Sequence, residues 1–302
     1  MNKKNKIMIL FGLICILPAI IYAETYWGGE LPNISDTKLK SEVIYDGDIY
    51  TYSYTIISGP SNAGQIWSFD IDIKHPQGGV ELSGEGLVNG PGYAKHTSAQ
   101  VLSEPTTPKM IPVGLWSPST WTSGLSVFGE SGWGSKAAQY RISPGQSLSG
   151  FQISTRGLPG IKNFKIEPKL IPPSAGDTEE SGEPVSLEEY QAVEDKVAFK
   201  GKTIGPTAPP ADFKPIPFLD YIISLKHEAY NLGWIKNTGI EQSLDAKLDN
   251  AKKKIEQGNI EAAKNILAAF INEVEAQNGK HLTSEAYALL KYNVQYLISK
   301  LL

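Results

Sequence analysis

Apolar and polar residues alternate with a period of two through the first half of the chain. Tyr50, Tyr52, Tyr54 and Ile56 are interleaved with Thr51, Ser53 and Thr55, and Ile49 precedes them. Further on, Trp67, Phe69, Ile71 and Ile73 share one face while Ser68, Asp70 and Asp72 share the other. Side chains on a strand project to alternate faces, so this pattern predicts strands with one buried and one wet face. It also assigns Trp67 and Phe69 to the core. Later runs at Leu125–Val127, Tyr140–Ile142, Leu148–Ile153 and Phe164–Leu170 are separated by turn chemistry. Pro144-Gly145 joins a preset φ to a residue free to take positive φ, which suits a type II turn. Gly157, Pro159 and Gly160 mark another break. Several short strands with such breaks predict an antiparallel all-β sandwich over residues 24–171.

From Phe218 the period becomes helical. Leu219, Ile222, Ile223 and Leu225 open a first helix that ends near Gly233. Thr238 and Glu241 have the spacing of a capping box, followed by Ile240, Leu244, Leu248, Ala251 and Ile255 on one stripe. Gly258 stops that helix and Asn259 can cap the next, whose stripe is Ala263, Ile266, Leu267, Phe270, Ile271 and Val274. After Asn278-Gly279 a last helix starts at Thr283 or Ser284, with Tyr287, Leu290, Val294, Leu297 and Leu301 facing inward. Short links imply antiparallel neighbours, hence a small all-α up-and-down bundle over residues 218–302.

Between the two lies a stretch of different composition, residues 172–217. Asp177, Glu179, Glu180 and Glu183 sit among Ser, Gly and Pro, a mixture that buries little apolar area. Ser186 and Glu189 allow one short helix at Leu187–Val197. Pro206, Pro209, Pro210, Pro215 and Pro217 then argue against regular structure until Phe218. The expectation is a Pro-rich acidic linker that few contacts cross, with a bundle that folds by itself.

The N-terminus changes the cellular setting. Lys3, Lys4 and Lys6 precede an apolar run from Ile7 to Tyr22, and Ala23 offers a small residue for cleavage. That order predicts a secretory signal peptide over residues 1–23 and no membrane insertion after cleavage. Cys15 is the only cysteine, so cleavage leaves a chain without disulfides or thiolate chemistry. Loss of the three lysines takes the formal charge from −4 to −7, since residues 1–23 carry no acid. An acidic chain without a Lys/Arg block argues against nucleic acid and anionic membrane as partners.

One segment carries a family resemblance. Ile240-x3-Leu244-x3-Leu248-x2-Ala251, then Gly258, then Ala269-Phe270-Ile271-x2-Val274-x-Ala276-Gln277-x-Gly279-Lys280, resembles the FIMAH domain over residues 238–302. The resemblance implies a helical accessory module of binding or attachment type. Such modules stand at the C-termini of exported bacterial proteins, commonly beside hydrolase or binding domains. It brings no catalytic residues. The β region is similar to immunoglobulin-like domains in style alone.

Candidate chemistry is sparse. Gly129-Glu130-Ser131-Gly132 has the outline of the Ser loop of chymotrypsin-like proteases, but departs from it at Glu130 and Trp133, and His75 and His96 lack a matching context. A Gly-rich loop accounts for it. The four histidines, at 75, 96, 227 and 281, show no ligand spacing, and His227 and His281 read as ordinary surface or capping positions. Asp46 with Asp48, and Asp70 with Asp72, could offer strand-face oxygens to calcium, although no closing Glu accompanies either pair. Trp116, Trp121 and Trp133 lie in a segment rich in Gly, Ser, Thr and Pro, with Tyr93 in a similar loop. Aromatic faces there could stack on a sugar or anchor a protein. The expectation is an exported, non-catalytic binding or attachment protein without cofactor, its partner an extracellular protein or glycan. A carbohydrate-binding protein using the tryptophans, and a hydrolase with a dispersed site, are the alternatives.

Overall fold

The computed structural model describes residues 30–72, 116–120, 130–135, 141–170 and 186–302. Ala23 and the rest of residues 1–29, Tyr93, Trp121, His75 and His96 lie outside these.

The β region forms two antiparallel sheets. The first has the order β1 (Thr37–Tyr45), β2 (Tyr50–Ser58), β6 (Ser147–Thr155). The second has the order β4 (Trp116–Thr120), β5 (Glu130–Ser135), β3 (Ile66–Asp72), β7 (Leu158–Pro168), β8 (Phe199–Thr207). The Tyr50–Ile56 alternation is seen as expected: Tyr50, Tyr52, Tyr54 and Ile56 are buried while the residues between are half-exposed. Tyr54 meets Phe69 at 5.5 Å between ring centroids, and Phe69 meets Phe151 at 5.6 Å, so rings of both sheets share one apolar layer. The Tyr54 hydroxyl donates to the Ile204 carbonyl at 2.9 Å, which satisfies a polar tip that would otherwise be costly to bury. At Pro144-Gly145 the turn closes with Gln146 N–H donating to Ser143 O at 3.0 Å and Gly145 at φ +78°, as a type II turn requires.

Trp67 departs from the simple alternation. A β-bulge between Ile66 and Ser68 shifts the register against β7, turning Ile66 into the core and leaving Trp67 half-buried beneath the Lys169 ammonium, 5.2 Å from its ring.

Helix α1 (Leu187–Val197) has the expected capping box at Ser186 and Glu189. Four helices follow: α2 (Pro215–Asn231), α3 (Thr238–Glu256), α4 (Ile260–Gln277) and α5 (Ser284–Lys300). They pack α2 on α3, α3 on α4 and α4 on α5, and α2 also lies against α5. The second cap is displaced by one residue from the sequence reading. Asn237, not Thr238, is the N-cap, and its side chain accepts from Ile240 N–H. Asn259 and Thr283 cap as expected.

The expected linker is corrected most. Residues 199–207 form β8, paired along its length with β7 and tolerating Pro206 because it is the outermost strand. Pro215 and Pro217 fall in the first turn of α2, where a missing N–H costs nothing. Nor does the helical unit stand apart: α5 packs on β1, β7 and β8. Across this seam Tyr292 Oη donates to Val43 O at 3.2 Å, Asn293 Nδ2 to Pro159 O at 2.8 Å, and Ser41 Oγ to Glu285 Oε1 at 2.8 Å.

Lys162 sits on the inner side of β7, 4% exposed. Gly205 makes room for it, since a Cβ there would come within 2.9 Å of Lys162 Cγ. Burial pushes its ammonium down to about 8, against an opposing pull from Asp72. The unfolded chain then binds more protons than the native one between pH 8 and 10.5, so this group adds stability as pH rises through that window. The gain is about 3 kcal/mol in all. The tyrosines act oppositely: buried Tyr54 and Tyr50 are raised, and their contribution is lost as pH climbs above 10. Urea midpoints should therefore climb from pH 8 to 10 and then fall, and Lys162→Met should flatten the climb. A variant that keeps the full climb would remove Lys162 as its source.

Candidate functional site

Among the described residues, those singled out from sequence do not gather in one place. Trp116 opens β4 and Trp133 lies within β5, so neither belongs to a loop. The ladder pairs Trp133 with both Phe69 and Pro118, and Trp116 stands two residues from Pro118.

Asp46 and Asp48 are not neighbours on a strand face. They lie in the turn between β1 and β2, where Asp46 Oδ1 accepts from the N–H groups of Asp48 and Ile49 at 2.9 and 2.8 Å. Those backbone donors hold the Asp46 carboxyl below its usual range. Asp48 takes a two-pronged bond from Arg156, at 2.8 and 2.7 Å, which lowers it likewise. Asp70 and Asp72 do share the outer face of β3. There Asp70 stands directly across the ladder from Lys165, and Asn163 Nδ2 reaches Asp72 Oδ2 at 3.4 Å. Glu167 completes this face, accepting from Ser68 Oγ and pairing with Lys165, both at 2.5 Å. The lysine already supplies the positive charge that calcium would bring.

Two constellations were not read from the sequence. At the seam, Tyr45 stacks on Tyr50 at 4.3 Å, and Tyr292 meets both edge-on at 6.0 and 5.5 Å. Tyr287 lies 6.3 Å from Tyr292, and the Lys291 ammonium sits 5.0 Å from the Tyr287 ring centroid. Tyr45 is 37% exposed, so this cluster presents an aromatic surface at the junction of strand and helix. The place of Tyr50 in an alternating run was visible, but nothing local tied it or Tyr45 to a helix more than 230 residues away.

The other constellation joins α2 to α3. Lys226 is entirely buried and forms ion pairs with Glu241 and Asp245. His227, its neighbour in sequence, brings Nε2 to the same two carboxylates. Glu241 and Asp245 are four apart on a helix and so share a face, which sequence does reveal. Their meeting with residues 226 and 227 depends on how two helices pack. His227 is thus more than an ordinary surface position.

The fold and these contacts define an antiparallel β unit with a helical module packed on its seam. Residues 222–299 match the FIMAH domain. The match bears out the resemblance read from the C-terminal pattern and extends it upstream into α2. No curated protein matches the chain. Among the described residues no helix is long and apolar enough to cross a membrane.

Proposed function

We propose that this is an exported, non-catalytic binding or attachment protein, in which an immunoglobulin-like β-sandwich carries the binding surface and the FIMAH helices form an accessory module. The observation that carries the reading is the FIMAH match at residues 222–299 on helices packed against β strands. The resemblance places such modules in exported bacterial proteins beside binding or hydrolase domains. Contacts of Tyr54 and Phe151 with Phe69 support closure of the two sheets into a sandwich. The basic and apolar N-terminus before Ala23 supports export.

The partner is an extracellular glycan or protein. Tyr45, partly exposed at the seam and set edge-on to Tyr292, offers a ring of the kind that stacks on a sugar or anchors a loop. The test is retention of the chain on a glycan panel and on extracellular protein fractions, followed by titration of whatever binds. Saturable binding weakened about tenfold or more by Tyr45→Ala, a hot-spot-sized loss, is the expected result. Turnover of glycosides, esters or peptides would instead favour the hydrolase reading.

A further inference from the structure

The cluster between α2 and α3 has the donor set and the spacing of a metal centre. His227 Nε2 and one oxygen each of Glu241 and Asp245 all lie within 4.8 Å of one another. Nε2 is 3.4 Å from Asp245 Oδ1 and 3.9 Å from Glu241 Oε1. Bonds of about 2.1 Å to a tetrahedral ion place its ligand atoms about 3.4 Å apart, so the His–Asp edge already has the required length. The His–Glu edge needs about half an ångström of closure, within the reach of a side-chain torsion.

Lys226 shapes this site. Its ammonium holds Asp245 through Oδ2 at 2.6 Å, and Oδ1 is the oxygen left facing His227. Outer partners that fix a ligand's orientation are a regular part of metal centres. The ammonium is also a competing cation, since it pairs with Glu241 through the same oxygen that lies nearest the imidazole. Two carboxylates and one ammonium leave a single net negative charge beside the imidazole, which attracts a divalent ion but less strongly than an unopposed pair would. The His227 side chain is 53% exposed, so water can complete the coordination and the ion can enter without unfolding the helices.

We propose that His227, Glu241 and Asp245 form a divalent-metal site of the zinc class that clamps α2 to α3, with Lys226 as its positioning residue. One imidazole with two carboxylates favours a borderline ion over calcium or magnesium, which prefer oxygen alone. The site is additional to the binding surface proposed at Tyr45 and does not depend on it.

The experiment is a titration of the full, untagged chain with zinc chloride, read by calorimetry and by the imidazole NMR signals. One equivalent should bind saturably, and the His227 ring should shift while His281, exposed on the link between α4 and α5, should not. His227→Ala should weaken binding by about 100-fold or more, because losing a ligand costs at least what losing a second-shell partner does. Asp245→Asn should weaken it as well, and His281→Ala should leave it unchanged. His227→Ala leaves both Lys226 ion pairs in place, so its fold is preserved and it decides the matter even if Asp245→Asn loosens the helices. Absence of saturable binding, or binding that His227→Ala leaves intact, overturns the proposal.

Discussion

Tyr292→Ala should destabilise the whole chain by about 3 kcal/mol or more, the usual cost of deleting a buried large aromatic. Tyr292 is a residue of the helical unit, yet its ring packs on Tyr45 and Tyr50 and its hydroxyl donates to Val43 O. The void left by alanine opens on the seam, where strands and helices share the loss. Beside it Asn293 donates both to Pro159 O and to Leu289 O, so the same helix also satisfies a carbonyl of β7. The strand and helix signals, followed by near- and far-ultraviolet circular dichroism in urea, should therefore move together to a lower midpoint. Two separate transitions, with only the helical one displaced, would show that the seam carries little energy. An independent fragment from Pro215 to Leu302, which the sequence suggests, would then be the better description. With the seam intact, that fragment must expose the α5 face that β1, β7 and β8 cover.

Lys226→Ala should cost about 3–5 kcal/mol, as expected when one partner of a buried ion pair is removed and the other charges stay behind. The lysine is wholly buried, and its partners are only 13% and 29% exposed. Burial by itself would push the Asp245 carboxyl up. The hydrogen bond and positive charge of Lys226 hold it below the ordinary range instead. Removing the ammonium removes that compensation. Replacing all three together, as Lys226→Met with Glu241→Leu and Asp245→Leu, should recover most of the loss, because an apolar contact of similar volume carries no desolvation penalty. Denaturant unfolding of the single and triple variants measures both. Equal losses in the two would mean that packing of the lysine stem, not its charge, stabilises the helix pair.

The parts of the fold that were legible in the sequence are those set by near neighbours. Tyr50 to Ile56 alternate because a strand has a period of two. Gly145 turns because its neighbour is proline and it can take positive φ. Ser186, Asn259 and Thr283 cap helices with their own side chains. The FIMAH pattern belongs to the same category, since the stripe from Ile240 to Val274 and the stops at Gly258 and Gly279 are features of one continuous stretch. The exceptions are equally local in scale but small in energy: a single bulge turned Ile66 inward and half-exposed Trp67, and a one-residue shift placed the cap at Asn237.

Tertiary structure decided what depends on partners far away in the chain. Phe199–Thr207 carries too much Gly and Pro to announce a strand, and becomes one because β7 supplies a ladder for it. Asp70 and Lys165 become neighbours through register, and the backbone of Trp133 comes opposite Phe69 in the same way. His227 meets Glu241 and Asp245 only when α2 lies against α3, and Tyr45 meets Tyr292 only when α5 closes on β1. Backbone periodicity and capping are encoded within a few residues, whereas a site or a seam is a sum of weak contacts between distant elements. Those contacts exist only once burial has selected which faces meet.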